Sequence, residues 1–131
     1  MNDNDDRLWT SVCPYQRLEP ERGVAALVQG VQVALFRLYD GRVYAVGNRD
    51  PIGGACVLSR GIVGSRGDIP VVTSPLYKEA YDLRTGECLD VPGVRIPTYP
   101  VRHRNGMVQV RLVSPPPVEV DEYAELAVPR P

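Results

Sequence analysis

The chain has 131 residues, 44% hydrophobic and 24% charged, a length and balance that suit one globular domain with a buried core and exclude disorder of the whole chain. Fifteen Lys and Arg against sixteen Asp and Glu leave a net charge of −1, so no global positive field exists to hold a nucleic acid or an anionic membrane. The longest purely apolar run, residues 24–28, falls far short of the roughly 20 residues of a membrane-spanning helix.

Residues 1–8 are polar and acidic, the opposite of a secretory leader, and read as the N-terminal tail of a cytoplasmic protein. Twelve glycines and thirteen prolines punctuate short apolar runs, which leaves little room for long helices and predicts an all-β chain. Residues 9–13 alternate up to Pro14, and residues 24–28 form a compact apolar run closed by Gln29 and Gly30; both read as strands. Val31, Val33 and Leu35 alternate with Gln32, Ala34 and Phe36, and Asp40-Gly41 then turns the chain into residues 42–46, which is a hairpin signal. Residues 47–59 and 65–78 read as two long loops, of the kind that usually carries function. Residues 79–83 lead to the turn Arg84-Thr85-Gly86, and residues 99–104 and 107–113 flank Asn105-Gly106 as a second hairpin. Ser114 and the prolines at 115–117 end the domain. The layout is therefore a tail over 1–8, a domain over 9–113 and a Pro-rich acidic tail over 114–131. That last tail is net −3, from Glu119, Asp121, Glu122 and Glu125 against Arg130, and either docks on a partner or stays unstructured.

Three widely spaced cysteines, Cys13, Cys56 and Cys88, read as reduced thiols that serve as small hydrophobes, not as nucleophiles. The single histidine, His103, excludes every site that needs two imidazoles. It falls in a predicted hairpin strand between Arg102 and Arg104, exposed or half-buried, without a catalytic role. Arg42, Arg49, Arg60 and Arg66 against Asp50 make residues 41–66 net +3, read as a solvated surface in preference to an anion site. Asp50, directly before Pro51, is expected to cap its loop through nearby backbone amides.

The segments Asn48-Arg49-Asp50-Pro51-Ile52-Gly53-Gly54-Ala55 and Ser74-Pro75-Leu76-Tyr77-Lys78, the latter running on to Thr85-Gly86, resemble the two cluster-binding loops of Rieske [2Fe-2S] domains. Rieske loops carry Cys-x-His and Cys-x-x-His, each cysteine followed by proline, and two Cys and two His hold the two irons. The prolines and glycines are present in this chain, whereas the four ligand positions hold Asp50, Ile52, Ser74 and Tyr77. Neither a thiolate nor an imidazole is available there, and Cys56, Cys88 and His103 fall outside the four ligand positions and supply only one histidine, so the resemblance implies a Rieske-like fold without a cluster. The implied architecture is antiparallel sheets in a sandwich or partial barrel, with a smaller loop-rich subdomain where a cluster would sit.

Residues 58–64, Leu-Ser-Arg-Gly-Ile-Val-Gly, and Ser74-Pro75-Leu76-Tyr77-Lys78 are similar to the small subunit of assimilatory NAD(P)H-dependent nitrite reductase, a resemblance that extends from Trp9 to about Val113. It implies an accessory subunit, non-catalytic alone and without a metal or cofactor of its own. The partner is then a large subunit that carries FAD, an iron–sulfur cluster and sirohaem and reduces nitrite to ammonium. The alternatives are a free-standing Rieske-type electron carrier, against which the missing ligands argue, and a cluster-less interaction module for another oxidoreductase. On the accessory reading the loop tip is a docking surface formed by Arg49, Ile52, Tyr77 and Lys78. Ile52 is expected to fill the hole left by the cluster, and Tyr77 either fills it or anchors the partner.

Overall fold

The computed structural model describes residues 8–112. Its strands are β1 (Trp9–Pro14), β2 (Gly23–Val28), β3 (Val31–Arg37), β4 (Val43–Gly47), β5 (Ile62–Arg66), β6 (Ile69–Thr73), β7 (Ala80–Asp82), β8 (Thr98–Tyr99), β9 (Val101–Arg104) and β10 (Met107–Arg111). Two single-turn 3-10 helices, Tyr15–Arg17 and Leu58–Arg60, complete the regular structure, and no α-helix occurs among the described residues. The strands pair antiparallel into three sheets, ordered β1-β10-β9, β2-β3-β4-β8 and β5-β6-β7. No helix among the described residues is long and apolar enough to cross a membrane. The two tails expected at the ends of the chain lie outside the described residues, except for Leu8.

Strand β3 is the shared wall of the molecule. Val33, Ala34, Leu35 and Phe36 are all fully buried, because the two faces of the strand enter two different cores. Val33 and Leu35 pack with Leu18, Val28, Ala45, Val108 and Val110, between the first and second sheets. Ala34 and Phe36 join Val46, Leu58, Val72, Tyr81, Leu83 and Ile96 in the core that carries the third sheet and the loops. The sandwich therefore supports the loop-rich subdomain through one continuous strand.

Local turn chemistry explains the hairpins. Gln29 (φ 50°) and Gly30 (φ 84°) join β2 to β3, and Asn105 (φ 54°) and Gly106 (φ 79°) join β9 to β10; two successive positive φ values match the right-handed twist of the flanking strands. The Asp40-Gly41 turn joins β3 to β4, with Asp40 accepting from the Arg42 amide at 3.0 Å.

Two expectations are corrected. Residues 65–78 are not one long loop: β5 and β6 form a hairpin turned at Gly67 (φ 61°), masked in the sequence by Gly64, Ser65 and Pro70. Pro70 is tolerated because it pairs with Ser65 just beyond the stretch of β6 that pairs with β7. The run 99–104 is not one strand either. Pro100 breaks it, so that β8 closes the second sheet against β4 while β9 joins β10 in the first.

The Thr85-Gly86 turn fastens the third sheet to the approach to β8: the Gly86 amide donates to Asp82 at 2.7 Å, and the Gly86 carbonyl accepts from Ile96 at 2.8 Å. Gly86 has φ 85°, and a Cβ there would meet the Ile96 carbonyl oxygen at 2.0 Å. Gly86→Ala is therefore expected to cost more than about 2 kcal/mol in denaturant unfolding; an unchanged midpoint would show that this junction yields without penalty.

Candidate functional site: two loops joined by hydrogen bonds

The first loop leaves β4 at Asn48 and returns to the 3-10 turn at Leu58. Its stem is held by Asn48, which is buried: its Nδ2 donates to Gln32 Oε1 at 3.2 Å and to the Cys56 carbonyl at 3.3 Å, and its Oδ1 accepts from the Ser59 amide at 2.7 Å. Within the loop the Asp50 amide donates to the Ala55 carbonyl at 2.8 Å and the Gly54 amide to the Asp50 carbonyl. The second loop leaves β6 and enters β7. It is closed by the Ser74 amide donating to Glu79 at 2.9 Å and the Lys78 amide donating to Ser74 at 3.1 Å.

Asp50, fully buried, is the hub between the loops. Its Oδ1 accepts from the amides of Ile52 at 2.8 Å and Gly53 at 3.3 Å, the local capping expected of an Asp before proline. Its Oδ2 accepts from the Ser74 hydroxyl at 2.6 Å. Ser74 Oγ in turn accepts from the Leu76 amide at 3.2 Å. Below them the Tyr81 hydroxyl donates to Glu79 Oε2 at 3.0 Å and lies 3.4 Å from Asp50 Oδ1. Glu79 is 4% exposed, and its Oε1 has no hydrogen-bond partner among the described residues.

One phenolic proton cannot serve two ionised carboxylates, and the electrostatics separate them. Burial pushes Asp50 up, but the bonds from Ser74, Ile52 and Gly53 outweigh it and hold the carboxyl below its ordinary value. Burial, followed by the neighbouring Asp50 charge, leaves Glu79 raised. Burial and the two carboxylates push the Tyr81 hydroxyl up, so it stays a donor. Glu79 and Tyr81 escaped the sequence reading; the signal was a glutamate two residues from a tyrosine on one strand face, next to apolar Ala80.

The tip above this network is apolar and exposed. A Cβ on Gly53 would meet Tyr77 Cε2 at 2.8 Å and Leu76 Cδ1 at 3.0 Å, so these two side chains lean over Gly53 from the opposite loop. Tyr77 nevertheless remains 63% exposed: its ring leans over Gly53 of the first loop and still presents a face to solvent. Ile52 is 43% exposed and is not the cavity filler expected of it. The hydrogen-bonded network beneath leaves no apolar hole for it. Leu76, missed by the sequence reading, is equally exposed, and Arg49 and Lys78 flank the tip in solvent.

These residues do not fit an iron–sulfur cluster. Asp50 and Ser74 bond directly to each other, closing the space that an iron between two donors would need, and the Ile52 side chain offers only carbon. Among the described residues no group of three or more His, Cys, Asp or Glu is placed to hold a metal ion. Cys13, Cys56 and Cys88 are free thiols, and burial raises Cys13 and Cys88. His103 stacks on Tyr15 in the first sheet, with ring centroids 4.2 Å apart, and Arg37 lies 4.3 Å over the same Tyr15 ring. The positive stretch 41–66 is partly neutralised from outside: Arg42 pairs with Asp40 and Arg66 is held by both oxygens of Asp90, at 2.7 and 3.0 Å.

A sandwich carrying a small sheet and two facing proline-containing loops is the architecture of a Rieske-type domain, built in this molecule around hydrogen bonds. The Rieske-like [2Fe-2S] domain family matches residues 8–111, and the chain belongs to that family. Its relatives there are more particular. The nitrite reductase (NADH) small subunit of Salmonella typhimurium is 38% identical over 104 residues, which cover 79% of this chain and 96% of that protein. A crystal structure from Mycobacterium tuberculosis, provisionally named an NADH-dependent nitrite reductase small subunit, is 54% identical with a TM-score of 0.79, covering 81% of this chain and 96% of that one. The nitrite reductase [NAD(P)H] large subunit of Klebsiella oxytoca is 39% identical over 104 residues, which cover 79% of this chain and 11% of that protein. The ferredoxin of carbazole 1,9a-dioxygenase from Nocardioides aromaticivorans shares the fold at 25% identity and a TM-score of 0.71, covering 80% of this chain and 98% of that one.

Asp50→Ala strands the Ser74 hydroxyl and two amides, and is expected to cost about 3 kcal/mol in denaturant unfolding. The pH dependence separates the two carboxylates. The lowered Asp50 contributes stability above its ordinary value of 3.8, lost as pH falls through its depressed pKa; the raised Glu79 contributes below 4.5, lost as pH rises through its elevated pKa. Glu79→Gln should therefore flatten the decline of melting temperature on the alkaline side of pH 4.5. An identical slope in the variant would mean that Glu79 ionises without cost.

Proposed function

We propose that this chain is the accessory small subunit of an NAD(P)H-dependent nitrite reductase, acting in the cytoplasm in nitrate assimilation. Its partner is a large subunit that carries FAD, an iron–sulfur cluster and sirohaem and reduces nitrite to ammonium. The observation that carries this reading is the match to small subunits across 96% of their length. The Klebsiella match adds that a segment like this chain is one part of a much longer nitrite reductase polypeptide. A domain that is covalently joined in one organism and separate in another has its natural place against the same catalytic body.

The chemistry of the loops supports a role without electron transfer. With Asp50, Ile52, Ser74 and Tyr77 at the ligand positions the chain has no redox centre of its own, so its contribution is made through contact. Ile52, Leu76 and Tyr77 form an exposed apolar tip flanked by Arg49 and Lys78, the mixture of aromatic, aliphatic and cationic groups typical of interface anchors. The network under the tip holds both loops in one relative position, which lowers the ordering cost of docking.

A tagged chain isolated from its host grown on nitrate is expected to bring down a large flavin- and sirohaem-bearing protein, and nitrite reduction by that protein should fall when this chain is withheld. Recovery of the chain alone would favour a module for a different oxidoreductase, and a coloured lone chain would overturn the cluster-less reading. Tyr77→Ala is expected to weaken co-purification about tenfold with an unchanged melting temperature. Retention equal to the parent chain would remove the tip from the interface.

A further inference from the structure

The third sheet ends on a strand edge that the two loops leave uncovered. In the order β5-β6-β7, strand β5 pairs with β6 alone. Ile62 is 74% exposed, Gly64, Ser65 and Arg66 are exposed as well, and a Cβ on Gly64 would meet nothing within 4 Å. Sheet edges are ordinarily blunted by proline, by bulges or by free charges. Strand β5 has no proline, its register with β6 is unbroken, and its one charged residue, Arg66, is held by Asp90.

The phase of the ladder decides which backbone groups face outward. In an antiparallel pair, residues that exchange hydrogen bonds alternate with residues whose amide and carbonyl point away from the partner strand. The two-residue turn Gly67-Asp68 closes on the bonded pair Arg66 and Ile69, so the next pair, Ser65 and Pro70, is unbonded. Pro70 agrees, since it has no amide to donate and its carbonyl accepts from the Leu83 amide at 2.9 Å on the side away from β5. The amide and carbonyl of Ser65 therefore face the open edge, and those of Val63, two residues earlier, face it too. No hydrogen bond within the chain uses these groups among the described residues.

An edge of this phase fits a second copy of itself in one register. A two-fold antiparallel pairing that bonds Val63 to the other copy's Ser65, and Ser65 to its Val63, uses every outward-facing backbone group of β5. It places Gly64 beside Gly64 on the axis, an unbonded position where the strands come closest. Ile62 then lies against the aliphatic stem of the other copy's Arg66. The same register brings Arg60, joined to β5 by the extended Gly61, alongside Asp68 in the other copy's turn. Arg60 and Asp68 are both exposed, and within the chain neither side chain has a hydrogen bond or ion pair among the described residues; Asp68 feels only the field of Arg84. Opposite charges thus meet twice across the axis, at positions that the chain itself leaves unpaired.

We propose that β5 is a self-pairing edge: two copies of the chain join β5 to β5 antiparallel about Gly64, making one continuous sheet, with Arg60 of each copy meeting Asp68 of the other. The pairing is isologous and closes at two copies, and the short strand makes it a reversible dimer that forms at high concentration. It stands independently of the accessory-subunit reading.

Sedimentation velocity between about 10 µM and about 1 mM is expected to show a monomer–dimer equilibrium. Amide exchange is expected to slow with concentration at Val63 and Ser65 and to stay constant at Gly64, which is already bonded to β6. Ser65→Pro, which removes an outward-facing amide, is expected to weaken the dimer at least about tenfold. The charge pair gives a test that leaves the ladder untouched: Arg60→Asp and Asp68→Arg are each expected to weaken the dimer at least about threefold, and the double variant to restore it. A monomer at every concentration would overturn the proposal. So would a dimer in which Val63 and Ser65 exchange as fast as in the monomer, or a double variant no tighter than either single one. Protection of these two amides only on addition of a nitrite reductase large subunit would make the edge a seat for that protein and overturn self-pairing.

Discussion

The 2.6 Å hydrogen bond from Ser74 to Asp50 joins two loops that are 24 residues apart in sequence and leave different sheets. Loops of this kind have few packing contacts of their own and gain a fixed relation only where something crosses between them. In a metal-bearing Rieske domain the cluster itself is that crossing, held from both loops. In this chain a buried carboxylate performs it, accepting a hydroxyl from one loop and two amides from its own. A carboxylate buried at this depth is stable only when its acceptor sites are occupied, which makes the bond and the burial mutually dependent.

The rest of the subdomain is arranged around that constraint. Asn48 fixes the stem of the first loop through side-chain bonds to Gln32, Cys56 and Ser59. Tyr81 and Glu79 close the network from beneath, and Glu79 tolerates its place by favouring its proton. Arg66 and Asp90 link the hairpin of β5 and β6 to the segment beyond β7, with Asp90 also accepting from the Ala80 amide at 2.7 Å. The junction between the two loops is therefore polar, above an apolar core and below an apolar tip. The tip can remain greasy and exposed because the loops do not depend on collapsing its side chains inward.

The two loops keep the geometry of the fold although their ligand positions, Asp50, Ile52, Ser74 and Tyr77, offer neither thiolate nor imidazole. The electron carrier with which this chain shares its fold is a ferredoxin, and the chain retains the projecting loops of that architecture while lacking the donors for iron. One segment of the Klebsiella large subunit, 11% of its length, matches this chain.

Much of this was legible in the residues. Turn chemistry at Asn105-Gly106 and Asp40-Gly41 marks hairpins because positive φ is a local demand that few residues meet, and the loss of cluster ligands is a matter of donor atoms, which residue identity alone decides. The all-β class follows from the same local signals. Only the tertiary structure decided the rest, because it rests on pairs that periodicity does not encode. Pro70 and Gly64 concealed β5 and β6, whose existence depends on pairing with each other and with β7. Both faces of β3 are buried because a third sheet lies behind it, a fact of packing and not of the strand. Asp50 showed itself as a loop cap through its neighbour Pro51, but its partners Ser74 and Tyr81 are 24 and 31 residues away. Ile52 was expected inside and stands outside, since a hydrogen-bonded network had already taken the space it would have filled.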